Sequence, residues 1–157
     1  MLRIAHFSIG ACLLAAVASA DSVVLGKGIS NAYAADLVCP ADQICLDSVY
    51  LWEFEAKRTV AGEPVVGRVK ALFTQHVDAT PKFVRSVELF VVRPIDDAAV
   101  RQAYGASYYL VGLSPRYEGS TYCLPVRPDE IGLVMSPSDV SVDPDSGYYC
   151  FARARVR

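Results

Sequence analysis

The sequence predicts a mainly β fold: a small closed barrel of five to six strands carrying one short helix. Three observations lead there. From Asp47 onward, segments alternate apolar and polar residues with period two. Turns containing Gly or Pro divide them at short intervals. One stretch, Ala98–Tyr104, instead has helical character with its own start and stop signals. A β-sandwich is the alternative, since it needs about seven strands and tolerates a short helix in a connection.

The chain opens on a segment with a different purpose. Arg3 supplies a positive start, Ile9–Val17 an apolar run, and Ala18-Ser19-Ala20 a small-residue cleavage signal before Asp21. This layout predicts a secretory signal peptide over residues 1–20, removed on export to the periplasm or the exterior. The run is shorter than the roughly 20 residues a membrane-crossing helix needs, and Cys12 sits inside it rather than at its end. No membrane span is expected after cleavage.

Removal of residues 1–20 takes Arg3 and no acid, so 14 basic and 17 acidic side chains remain. That balance offers no field to attract nucleic acid or anionic lipid. What is left is one domain's length, long enough to bury a core.

Residues 21–43 read as a loosely structured N-terminal arm. Gly26, Gly28, Ser30 and Asn31 interrupt the brief apolar stretch Val23–Leu25, and Pro40 blocks a long element. Residues 44–157 then form the single barrel domain. Tyr50, Trp52, Phe54 and Ala56 share one face of the first strand, with Glu53, Glu55 and Lys57 on the other. After the turn Ala61-Gly62-Glu63-Pro64, the run Val65–His76 is the second strand, with Gly67 marking a bulge or bend. Asp78–Pro81 turns the chain again, and Phe83 to Arg93-Pro94 is the third strand.

Asp96 and Asp97 are N-cap candidates for the helix Ala98–Tyr104, and Gly105 stands at its C-cap. Tyr108–Leu113 is a fourth strand and Thr121–Val126 a fifth. Residues 127–146 are mostly loop, with one helical turn at Asp129-Glu130. Tyr148–Val156 closes the domain as a last strand, with Arg153, Arg155 and Arg157 on its outer face. Three strands, a helix and a returning strand give the connectivity of a Greek-key barrel of the OB type. The arginines protect an edge strand from pairing with other chains.

Residues 45–76 carry Cys-x-Asp-x-Val, an amphipathic strand, an Ala-Gly turn and then Val65-Val66-Gly67-Arg68-Val69. This resembles the opening hairpin of netrin-like modules, small exported OB barrels related to the tissue inhibitors of metalloproteinases. In those inhibitors a cysteine at the mature N-terminus chelates the target's zinc. Here the predicted mature N-terminus is Asp21 and Cys39 lies well inside, so the residue on which inhibition depends is missing.

Four cysteines follow the cleavage site. Cys39 and Cys45 are separated by five residues, Cys123 and Cys150 by twenty-six, which does not match the close pairs of structural zinc sites. An exported context favours disulfides. Of the three possible pairings, Cys39–Cys45 and Cys123–Cys150 is preferred, which makes the fifth and last strands neighbours.

His76 is the one histidine after the cleavage site, with Asp78 two residues on along the same strand face. Such a pair has the chemistry of a general base or a partial metal site, yet no nucleophile motif or third ligand accompanies it. No catalytic residue, metal or cofactor is therefore predicted. Nine tyrosines are present, and Tyr104, Tyr108, Tyr109, Tyr117 and Tyr122 cluster in one region near Arg101, Arg116 and Arg127. These five are the candidate binding residues. The sequence thus points to an exported, non-catalytic binding or structural module of the cell envelope, with an envelope protein or a glycan as partner. An envelope enzyme or enzyme inhibitor using the surface around His76 is the alternative.

Overall fold

The structure, a computed structural model, describes residues 21–36, 47–116 and 120–156. Five strands and two short helices make up its first part: β1 (Ser22–Asp36), β2 (Ser48–Ala61), β3 (Gly67–Gln75), α1 (Pro81–Ser86), β4 (Val87–Pro94), α2 (Ala98–Tyr104) and β5 (Tyr108–Pro115). Three more strands follow: β6 (Thr121–Leu124), β7 (Val140–Val142) and β8 (Tyr149–Ala152).

The first five strands close into a barrel in the order β1-β2-β3-β5-β4, with α1 between strands three and four. Every pairing is antiparallel except β3 with β5. This is the small Greek-key barrel that the alternation predicts. The inward set of β2 is the expected one: Tyr50, Trp52, Phe54 and Ala56 join Val69 and Ala71 of β3 in the interior. There Phe54 stacks on Phe90 of β4, ring centroids 4.0 Å apart. Helix α2 also forms where expected. The Asp97 carboxylate accepts from the amides of Ala99 and Val100 at 2.8 and 3.2 Å, and Gly105 takes the left-handed conformation at φ 60°.

The arm expected over 21–43 is not an arm where the structure describes it. Ser22–Asp36 is a fifteen-residue strand that pairs with β2 along its length and with β4 at its start. The glycines that look like breakers are instead demanded by close approach. A Cβ on Gly28 would lie 1.9 Å from the Val84 carbonyl oxygen, and one on Gly26 2.5 Å from that of Glu55. Residues 37–43, with Cys39, and Cys45 lie outside the described residues, as do residues 1–20.

The strand expected from Phe83 begins only at Val87. Thr80 caps a single helical turn through its hydroxyl, which accepts from the Phe83 amide at 3.2 Å, and Pro81 occupies the first turn. The turn lays Val84 against the interior of the barrel.

Strands β6, β8 and β7 form a separate sheet rather than further staves of the barrel. Tyr122, Leu124 and Phe151 from this sheet, with Ile131, Leu133 and Val156 from its flanks, bury the outward side chains Val23, Leu89 and Val91. Consequently β4 is apolar on both faces: Leu89 and Val91 face this second core, Phe90 and Val92 the first. The strands expected over Thr121–Val126 and Tyr148–Val156 do neighbour each other, as β6 and β8, with Cys123 directly opposite Cys150 and the two joined by a disulfide of Cα–Cα distance 4.1 Å.

The last strand ends early. Val156 turns into the second core, 3% exposed, so the chain leaves the sheet after Ala152 in a short 3-10 turn over Arg153–Arg155. Arg153 then pairs with Glu88 at 3.2 Å and Arg155 with Asp139 at 2.9 Å, instead of lining a strand's outer face. Arg157 lies outside the described residues. No helix among the described residues is long and apolar enough to cross a membrane.

Candidate functional site

The parallel pairing of β3 and β5 is short. It joins Ala71 to Tyr108 and Leu72 to Tyr109 and goes no further. Beyond it the two strands part, and a cleft of about 470 Å³ occupies the space between them. Phe73 and Gln75 of β3 line one side; Gly112, Leu113 and Pro115 of β5 line the other. Trp52 of β2 and Phe83 of α1 meet there edge to face, centroids 6.4 Å apart at 80°. Pro125 and Tyr148 add a lip from the C-terminal part of the chain.

A polar frame fixes the mouth. The Trp52 indole is 1% exposed, so its N–H needs an internal acceptor, and Gln75 Oε1 provides it at 2.9 Å. The other end of that amide donates to Asn31 Oδ1 at 3.1 Å and to the Val77 carbonyl at 2.7 Å. Asn31 also accepts from the Ala79 amide at 3.3 Å, so a β1 side chain pins the loop after β3. Gln75 escapes a reading by pattern, because an amide at a strand end has no periodic signature. The inward-facing Trp52, whose N–H must find a partner, is the signal that points to it.

Asp78 sits on the rim and accepts from the Tyr50 hydroxyl. That bond, then burial, then the negative charge itself, raises the Tyr50 pKa. Tyr33 abuts Tyr50 edge-on at 6.0 Å, and its own pKa is raised first by a hydrogen bond to Asp36. His76 is on the same rim, and the carboxylate found beside its Nδ1 is Asp47 at 3.8 Å. The expected His76–Asp78 neighbourhood thus lines the cleft together with Gln75 and Thr80. Gln75 and Thr80 are engaged in holding Trp52 and the start of α1. Among the described residues, no three His, Cys, Asp or Glu side chains stand close enough to hold a metal ion.

Among the described residues, the tyrosines singled out in the sequence do not come together on one surface. Tyr104 of α2 packs with Leu72, Ile95 and Ala106 on the outside of β3. On β5, Tyr108 packs against the barrel interior while its neighbour Tyr109 points outward, 40% exposed. Tyr122 lies in the second core at 1% exposure, and its hydroxyl donates to Glu88 at 3.2 Å. Desolvation is the main cause raising the Tyr122 pKa. A ring so enclosed offers no contact to a partner. Tyr117 lies outside the described residues.

Two of the three arginines near these tyrosines are also engaged. Arg127 is held by both carboxylate oxygens of Asp129 at 2.8 and 3.1 Å, and Arg101 donates to the carbonyls of Ile95 and Asp96. Tyr148, which the sequence places at the start of the last strand and the structure just before it, is the tyrosine that lines the cleft. Comparison with protein-family models, with curated proteins and with solved structures finds no match to this chain.

Proposed function

We propose that this protein is an exported, non-catalytic binding module of the cell envelope that takes up an apolar group in the cleft between β3 and β5. Export rests on Arg3, the apolar run Ile9–Val17 and the Ala18-Ser19-Ala20 signal. The binding reading rests on the cleft. Its 470 Å³ falls in the range of small-molecule sites, and its walls combine aromatic and aliphatic surface with a few fixed polar groups. An envelope protein can present such a group as a side chain, and a free small molecule can present it directly. His76 keeps the enzyme or inhibitor alternative attached to the same rim, but the polar side chains beside it serve to fix the indole and the helix start.

Trp52 is the single tryptophan of the chain and lies on the cleft wall, so its emission reports occupancy. Titration with the neutral probe 2-phenylethanol is expected to shift that emission saturably. Ala79→Leu, which adds bulk to the lining, is expected to weaken the response at least about tenfold, the cost of overfilling a packed space by 1.4 kcal/mol or more. A response that is linear and identical in both proteins overturns the reading.

A further inference from the structure

We infer that the cleft selects an organic cation, an ammonium carried on an apolar or aromatic body, over neutral and anionic ligands of the same shape. This rests on the binding reading above and adds the charge of the ligand. The residues lining the cleft include four aromatic rings (Trp52, Phe73, Phe83 and Tyr148) and no Lys or Arg. Aromatic faces carry negative potential and attract cations, most strongly where water is excluded. Trp52 and Phe83 touch edge to face, so a ligand meets the surface this pair presents to the cleft together with Phe73 and Tyr148.

The rim carries one carboxylate, Asp78, beside His76, whose ring has the Asp47 carboxylate 3.8 Å away. An anionic head group entering here meets a carboxylate and finds no guanidinium or ammonium to pair with. A cationic one exchanges water for Asp78 at the rim and for ring faces deeper in. Because Asp78 is exposed, the attraction is that of charges in a medium close to water, about fivefold in affinity at about 4 Å.

Three soluble probes share one aromatic body and differ in head charge: 2-phenylethylammonium, 2-phenylethanol and phenylacetate. Titrated into the mature protein at pH 8 and low ionic strength, with Trp52 emission and calorimetry as readouts, they are expected to bind in the order ammonium, alcohol, carboxylate. Cation and anion should differ by about fivefold or more, and added salt should narrow the gap. Asp78→Asn is expected to narrow the gap between cation and anion by about fivefold, leaving the part that the rings supply. Equal binding of the three probes by the unaltered protein, or tighter binding of phenylacetate, overturns the charge selection and leaves the apolar cleft standing. Failure of all three to bind, the alcohol included, overturns the cleft reading and the inference together.

Discussion

Glu53 shows how one outward residue of an alternating strand can be more than a solvated charge. Its carboxylate takes two bonds from Arg68 across the β2–β3 pair, at 2.6 and 3.0 Å, and a third from the Ser30 hydroxyl at 3.2 Å. Arg68 is the first cause holding the Glu53 pKa below its ordinary value of 4.5, with burial opposing it. A folded-state pKa that is depressed gives stability present above the unfolded value and lost as pH falls through the folded one. Most of the Arg68 side chain faces solvent, so the contribution is screened to about 1 kcal/mol or less. Glu53→Gln is therefore expected to lower the urea midpoint at pH 7 slightly, with the difference shrinking as pH falls below the ordinary carboxylate range. Parallel curves over that window would show that Glu53 does not titrate with unfolding. Alternation made the outward direction of Glu53 legible. Its partners were not, because Ser30 belongs to a segment that reads as loop.

At the level of elements, the misread segments share one cause: their patterns answer to neighbours far along the chain. β1 looks broken by Gly26 and Gly28 because α1 and β2 press against its backbone there. β4 looks like an ordinary half-buried strand, but the C-terminal sheet covers its outer face and makes Leu89 and Val91 as buried as Phe90 and Val92. β2 and α2 were readable because local information decides them: one wet face in the first, caps at both ends in the second. The disulfide belongs to this scale too. Cys123 and Cys150 close a loop of 27 residues across directly paired positions of β6 and β8. The chain-entropy picture assigns such a loop about 3.5 kcal/mol. Cys123→Ser, Cys150→Ser and the double variant are expected to be destabilised equally, since all three lose the same bond. A double variant weaker than either single one in urea unfolding would mean that the thiols contribute separately.

For the molecule as a whole, two cores back onto one pair of strands. The barrel interior is the first; the space between β1, β4 and the C-terminal sheet is the second. Val23, Leu89 and Val91 are fully buried only through that second sheet. A chain ending at Arg116 keeps all five barrel strands but exposes these three side chains, a loss of about 5 kcal/mol of apolar burial. It is expected to bind an apolar dye strongly and to aggregate on concentration. A soluble monomer as stable as the full protein would show that the sheet is an accessory rather than part of the fold. At this scale the barrel was legible, because turn spacing and period two dictate short antiparallel staves. The division of the last third into a separate sheet was not. Single-sequence alternation says that a strand has an apolar face without saying which other face it meets. The cleft was equally hidden, since it depends on where the β3–β5 pairing stops.

The seam that closes the barrel joins its earliest strand to one much later in the chain: Ser22 lies opposite Val92 and Leu25 opposite Leu89. In a chain emerging N-terminus first, β1 appears well before that partner. Until Val92 follows, Val23 and Val24, which the finished molecule buries on opposite sides, have nowhere to go. Contacts of such long range carry a loop-closure cost before any packing offsets it, which puts folding on the millisecond-to-second scale rather than the microsecond scale. Through that interval the waiting strand is a sticky edge. Gly26, Lys27, Gly28, Ser30 and Asn31, the residues that make it look like a loop, are also poor material for pairing with another chain.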